Sequence, residues 1–361
     1  MNNQIMSNIK VSPVGFIVIF LLVGALVLYF ERTWSDSGNN ESEAVKRGQT
    51  ISLRDILSAS IELAERGGEQ VKEVMKEKKL NEQSKGKTKE GVNNPVTDGD
   101  MRSHEAIMHG FQVTFPETLL VVSEEHEEKD WDRSKVKPAD LKRPDVNEVI
   151  QKDERVPIED VTIWIDPLDA TKEYTEELLH YVTVMVCVAV NGKPTIGVIH
   201  KPFAKEDEGD SSMSWAWVGK GHSTNLNTPV KKATAETDPK IIVSRSHAGS
   251  VKEVAQQSFG KDTEVIPAGG AGFKTLALFQ GKADAYIHTT LIKKWDICAG
   301  NALLHEFSGT MTTLKGDIIN YDGHGSPDHN PKNEGGLLAT LWDAEIYRGK
   351  LAAVLNEGHH R

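Results

Sequence analysis

The segment Trp164-Ile165-Asp166-Pro167-Leu168-Asp169-Ala170-Thr171 ends the apolar run Val161 to Ile165 on two aspartates, with a proline between them. Carboxylates spaced this way across a bend can converge on one point, where the carbonyl of Leu168 and the hydroxyl of Thr171 can join them. Hard oxygen ligands suit Mg²⁺, whose octahedral preference leaves positions for water and phosphate. The same residues also fit an acidic turn that caps the next helix, because Asp and Thr are good caps. Three further acidic groups follow the same pattern. Pro95-Val96-Thr97-Asp98-Gly99-Asp100 places acids after a short extended stretch, and Val121-Val122-Ser123-Glu124-Glu125 places them after the apolar run Leu119 to Val122. In Trp295-Asp296-Ile297-Cys298-Ala299-Gly300 the aspartate opens an apolar helix, Ile297 to Phe307, after Lys293 and Lys294. Each alone is what many solvated strand ends look like; their combination in this order is specific.

With these motifs the chain resembles the inositol monophosphatase superfamily, magnesium-dependent and lithium-sensitive phosphomonoesterases, from about Ile51 to near Leu355. The signatures are Trp164 to Tyr174 and Trp295 to Gly300, with Glu124 as the matching glutamate. The resemblance implies an α/β fold, a layered αβαβα sandwich of the inositol monophosphatase/fructose-bisphosphatase type. It implies a first Mg²⁺ on Glu124, Asp166 and the Leu168 carbonyl, and a second on Asp166, Asp169 and Asp296, with room for a third. Asp100 and Thr171 match the pair that orients and deprotonates the attacking water, and Thr171 and Asp296 also face the substrate. Ser123 stands where many relatives have glycine, a change that serine's backbone tolerates.

Two stretches bear on the substrate. Ile242-Val243-Ser244-Arg245-Ser246-His247 leaves a strand, and Pro267-Ala268-Gly269-Gly270-Ala271-Gly272-Phe273-Lys274 is a glycine-rich turn opening a helix. Backbone N–H groups at a helix start, with a lysine nearby, suit phosphate, although a tight turn beside a surface lysine has the same composition. Together they resemble the bisphosphate-nucleotide branch, which matches Ser244, His247, Gly270 and Lys274 at positions contacting the nucleotide. The implied reaction is removal of the 3'-phosphate of adenosine 3',5'-bisphosphate, giving AMP and phosphate. Inositol monophosphate hydrolysis at the same metals remains the alternative, and an idle lumenal binding protein is the alternative of another class. His200 reads as a structural histidine.

Val14 to Phe30 carries no charge and, extended by Val11 to Pro13, approaches the length a bilayer needs. Lys10 precedes it and acids follow, which orients residues 1–10 to the cytosol, 11–31 across the membrane as a signal anchor, and the rest into the lumen. Residues 32–49 read as a polar stalk holding the sequon at Asn40. With this topology the resemblance narrows to a single-pass, Golgi-resident part of the nucleotidase branch. A net charge of −11 with no basic stripe argues against a nucleic-acid polymer as partner; a small phosphate ester and the membrane are the expected partners, and a homodimer is left open. Cys187 and Cys298 could pair in an oxidising lumen, but an apolar strand and a helix start favour two buried thiols.

The elements that must position these groups alternate along the chain. Ile51, Leu53, Ile56, Leu57, Ile61, Leu63 and Ala64 share helical spacing, with an end expected at Gly67-Gly68 and a second amphipathic piece through Val71, Val74 and Met75. The lysine-rich stretch 76–89 reads as a solvated loop, with a lid near Asp100 as the lesser reading. Glu125 to Val161 reads as a charged excursion whose basic residues Arg133, Lys135, Lys137, Lys142 and Arg143 face solvent, with contact to nucleotide phosphate as the lesser reading. Strands at Val182 to Val190, Thr195 to Ile199 and Ser214 to Val218 form an antiparallel meander turned at Asn191-Gly192. Strand and helix then alternate to the helix at Asp296. The expected division is an amino-terminal α+β half, 50–218, and a carboxy-terminal α/β half, 219–361.

Overall fold

Alternating apolar residues become the middle of two sheets in the computed structural model, which describes residues 48–87, 91, 93–126, 131–229, 239–245, 251–325 and 329–357. The expected membrane span, the stalk and Asn40 lie outside the described residues; no helix among the described residues is long and apolar enough to cross a membrane. The first sheet runs in sequence order: β1 (Leu120–Ser123), β2 (Val161–Asp169), β3 (Thr183–Val190), β4 (Lys193–His200), β5 (Met213–Trp217) and β6 (Gly221–His222). β1 lies parallel to β2, and the later neighbours are antiparallel. Asn191 and Gly192 both take positive φ, as the tight turn from β3 to β4 requires.

The second sheet is mixed. It contains β7 (Ile241–Ser244), β8 (Val265–Ala268), β9 (Ala285–His288), β10 (Thr310–Thr312) and β11 (Leu337–Thr340), in spatial order β8-β7-β9-β11-β10. Among the described residues six helices of nine residues or more cover these sheets: α1 (Leu53–Glu77), α2 (Asp98–Thr114), α3 (Val251–Phe259), α4 (Ala271–Phe279), α5 (Lys294–Glu306) and α6 (Ala344–Glu357). Three apolar clusters show the layering. One joins α1 and α2 to the first sheet, one fills the space around α4 and α5 between the sheets, and one lies under α3 and α6 outside the second sheet. The order helix, sheet, helix, sheet, helix follows from sheets that bury both faces.

α1 departs from expectation by running unbroken through Gly67 and Gly68. Glycine costs a helix roughly 1 kcal/mol, but here it permits contact. A Cβ on Gly67 would stand 2.6 Å from Ser103 Oγ, and one on Gly68 2.3 Å from the His200 ring. Packing against α2 and β4 therefore overrides the local signal to stop. The cysteines also correct the expectation. Cys187 on β3 and Cys298 on α5 form a disulfide with Cα atoms 5.6 Å apart. Their partnership comes from α5 lying on the first sheet, where a Cβ on Gly197 would meet the Ala299 carbonyl at 2.2 Å. No local pattern in either segment announces that approach.

Candidate active site

The acids come together because strands end side by side. β1 and β2 pair in parallel with Ser123 opposite Ile165, so Glu124 and Asp166 leave the same sheet edge together. The Glu124 N–H donates to the Ile165 carbonyl at 3.1 Å and fixes that alignment. Asp166 and Asp169 would ordinarily point to opposite faces of β2, since side chains alternate with period two. The register against β3 shifts between them, from Asp166 opposite Met185 to Asp169 opposite Thr183. That one extra residue returns both carboxylates to one side, the effect of a β-bulge. Asp296 enters from the first turn of α5, where its Oδ2 accepts the Lys293 N–H at 2.9 Å. Carboxylate oxygens of Glu124, Asp166 and Asp296 lie within 4.8 Å of one another.

Asp169 adjoins this trio and is held from behind. Its Oδ2 accepts the Thr183 hydroxyl at 3.0 Å and the Gly272 N–H at 2.8 Å. Asp100 sits in the first turn of α2, where its Oδ2 accepts both the N–H and the hydroxyl of Thr97. Its Oδ1 accepts the Thr171 hydroxyl at 2.9 Å, with the Leu168 carbonyl oxygen 3.1 Å from the same hydroxyl. Burial, reinforced by Glu124 and Glu125, raises Asp100 to about 7 against the pull of the Thr97 hydrogen bonds. Burial and neighbouring carboxylates push Asp166 and Asp296 well above the usual range, and burial raises Asp169. Like charges concentrated out of water call for a cation. The donors are all oxygen and number more than three, so the cluster fits a hard metal ion.

The cleft above the acids has a volume of about 390 Å³ and reaches from this floor to the second sheet. Ser244, at the end of β7, lines it together with Gly270 and Lys274. Gly270 caps α4 at φ 64°, and a Cβ there would lie 2.8 Å from the Tyr181 carbonyl and 2.9 Å from Asp169 Oδ2. Only glycine fits both the backbone angle and the space. Lys274 is buried, with its ammonium on the Gly270 carbonyl, and burial lowers its pKa while Asp169 opposes that. His247 lies outside the described residues.

The lysine-rich stretch 76–89 differs from the expected loop. Gln83–Lys87 pairs with Asn93–Val96 as a hairpin. From it Lys85 reaches Glu124 Oε1 at 2.8 Å and also contacts Glu125. Neither Lys85 nor the buried Glu125 is among the expected site residues: Glu125 stands in an expected acidic motif without a role, and one lysine among many carries no mark of its own. The basic residues of the charged excursion stay away from the cleft: Arg133 pairs with Glu117, and Arg143 with Glu65 and Asp145. His200 is buried and donates from Nδ1 to the Ser212 carbonyl at 2.9 Å, and its pKa falls to about 4 chiefly through burial, in keeping with a structural role.

The inositol monophosphatase family model matches residues 52–345. The mouse Golgi-resident adenosine 3',5'-bisphosphate 3'-phosphatase is 45% identical over 353 residues, covering 92% of this chain and 94% of that protein. Inositol monophosphatase 3 of Xenopus laevis is 45% identical over 355 residues, covering 96% and 95% respectively. Among solved structures, the Thermotoga maritima IMPase superposes with a TM-score of 0.58 at 19% identity, covering 84% of this chain and 99% of its own. An inositol monophosphatase from Anabaena gives 0.56 at 19%, covering 84% and 96%. At that identity the likeness concerns the fold alone.

Proposed function

The chain belongs to the inositol monophosphatase family and is a phosphomonoesterase, and from that premise we propose that it removes the 3'-phosphate of adenosine 3',5'-bisphosphate, giving AMP and phosphate. The observation that carries this choice of substrate is the 45% identity, over nearly the whole of both chains, to a mouse protein named for that reaction. The cleft agrees with an anionic ester: it is lined by the acids and by Lys274, while the first N–H groups of α4 are taken up in holding Asp169.

In this reading Glu124, Asp166, the Leu168 carbonyl, Asp169 and Asp296 hold two Mg²⁺ ions. When bound, the metal supplies charge that neutralises phosphate oxygens and acidifies a coordinated water. The chain's own groups do the rest. Thr171 orients the water through its hydroxyl, and Asp100, bonded to that hydroxyl, takes the proton through it as the oxygen attacks phosphorus. The bond from phosphorus to the 3'-oxygen breaks, and that oxygen is protonated from solvent. Ser244, His247, Gly270 and Lys274 orient the nucleotide, while Thr171 and Asp296 also touch the substrate.

We place the catalytic part in the Golgi lumen behind an amino-terminal anchor. The name of the mouse relative and the Cys187–Cys298 disulfide, which suits an oxidising compartment, support this. Phosphate release by the full chain in detergent with Mg²⁺ tests the substrate. Adenosine 3',5'-bisphosphate should be turned over well ahead of inositol 1-phosphate; the reverse preference would leave the metal site standing and overturn the nucleotide assignment. Inositol monophosphate is the second reading because the Xenopus relative carries that name.

A further inference from the structure

Tyr286 brings to the cleft a polar atom that the proposed reaction does not use. It lies on β9, between Ile242 of β7 and Ala339 of β11. Its neighbours Ala285 and Ile287 point outward, into the apolar cluster beneath α3 and α6, whereas the ring of Tyr286 points inward to the cluster between the sheets. The residue is 1% exposed and lines the cleft. The Lys274 ammonium stands 5.1 Å from the ring centroid, so the face of the ring is used. The hydroxyl is different: no hydrogen bond ties it to any of the described residues. Nor is it one of the fully buried polar atoms that lack a partner, so the hydroxyl is the part of this side chain that opens onto the cleft. A Phe at this position would fill the same core, so the oxygen needs an explanation beyond packing.

Its position narrows the partner. Tyr286 lies against Lys274, whose ammonium rests on the Gly270 carbonyl beside Asp169, and Asp296 lines the same cleft. In the reaction proposed above, Asp100 and Thr171 serve the attacking water, which leaves Asp169 and Asp296 for the opposite, leaving-oxygen side of an in-line displacement. The part of a substrate that lies there is the alcohol side of the ester. On a ribose 3'-phosphate, the group next to the ester oxygen is the 2'-hydroxyl.

We propose that the Tyr286 hydroxyl hydrogen-bonds the sugar hydroxyl adjacent to the scissile ester, and so positions the leaving group and distinguishes ribose from deoxyribose. This rests on the nucleotide reading of the site. Tyr286 touches substrate without exchanging a proton with the reacting atoms, so its contribution is one hydrogen bond, worth about threefold to tenfold in kcat/KM.

The test is a two-by-two comparison with the full chain in detergent and saturating Mg²⁺. Wild type and Tyr286→Phe are each assayed on adenosine 3',5'-bisphosphate and on its 2'-deoxy analogue, with Tm and Mn²⁺ affinity by calorimetry measured alongside. Each single change should lower kcat/KM by about threefold to tenfold, and the two together should cost no more than the larger one alone. Tm and Mn²⁺ affinity should not move. Losses that multiply would show that the hydroxyl serves another group, and an unchanged ribonucleotide rate would show that it serves none. A loss accompanied by lower Tm or weaker Mn²⁺ binding would make the residue structural and overturn the proposal. Wild type inactive on both nucleotides would sink the nucleotide reading and this inference with it, an outcome visible before any variant is made.

Discussion

The floor and the roof of the cleft are built by opposite means. The floor is made of strand ends and helix starts: Glu124 after β1, Asp166 and Asp169 around the bulge of β2, Asp296 in the first turn of α5. These acids are tied by main-chain and threonine hydrogen bonds, and α5 is joined to the first sheet by the Cys187–Cys298 disulfide. The roof hairpin, Gln83–Lys87 with Asn93–Val96, has an irregular register, and only Pro95 among its residues is buried. It meets the floor through Lys85, whose ammonium sits between Glu124 and Glu125. A rigid set of negative charges therefore faces a lightly held positive one. Pre-organised charge suits a group that must act at a fixed point, and a lightly held strand suits one that gives way when ligands enter.

If the floor is catalytic, Asp169→Asn should have the largest effect. The amide keeps the shape but removes a charge from a site that needs it, and phosphate release should fall on the order of 10²–10³-fold. An idle binding protein would show no change.

The raised carboxylates make a second prediction, about stability. Their folded pKa values lie above the ordinary ones, so protons bind the folded state more tightly. The associated stability is present below about pH 4 and is lost as pH rises through about 7, the value for Asp100. Metal-free protein should melt lower at pH 8 than at pH 5.5. Mg²⁺, which competes with those protons, should then raise Tm more at pH 8 than at pH 5.5. Equal gains at the two pH values, scanned with Mg²⁺ against EDTA, would mean that this cluster is not where the metal binds.

The roof should matter least. Lys85→Ala removes a cation that competes for Glu124, at an ion pair worth about 1 kcal/mol where it is partly exposed. Mn²⁺ affinity by calorimetry should rise about fivefold, equivalent to that energy. Weaker binding in the variant would mean that Lys85 helps to hold the acids for the metal, and would erase the contrast between floor and roof.

Much of the floor could be read from the chain because its acids follow short apolar runs that end as strands or begin as helices. The meander and the alternation from β7 to α5 were equally legible, since both rest on local periodicity. The hairpin was not. Its residues are polar and rich in lysine, and pairing gives such a segment no alternation to display. The final strands, β10 and β11, are three and four residues long and add too little pattern to stand out. Gly67 and Gly68 misled for a related reason: a glycine pair that lets helices touch has the same local appearance as one that ends a helix.

The sequence by itself determined which groups could bind a metal and where most strands and helices begin, because residue type and short-range period act over a few positions. Tertiary structure alone decided which of those groups meet. The bulge that turns Asp166 and Asp169 to one side, the approach of α5 that pairs Cys187 with Cys298, and the placement of Lys85 over Glu124 each join elements through register or packing. Burial of apolar faces drives that assembly without regard to distance along the chain, so no local spacing could encode its result.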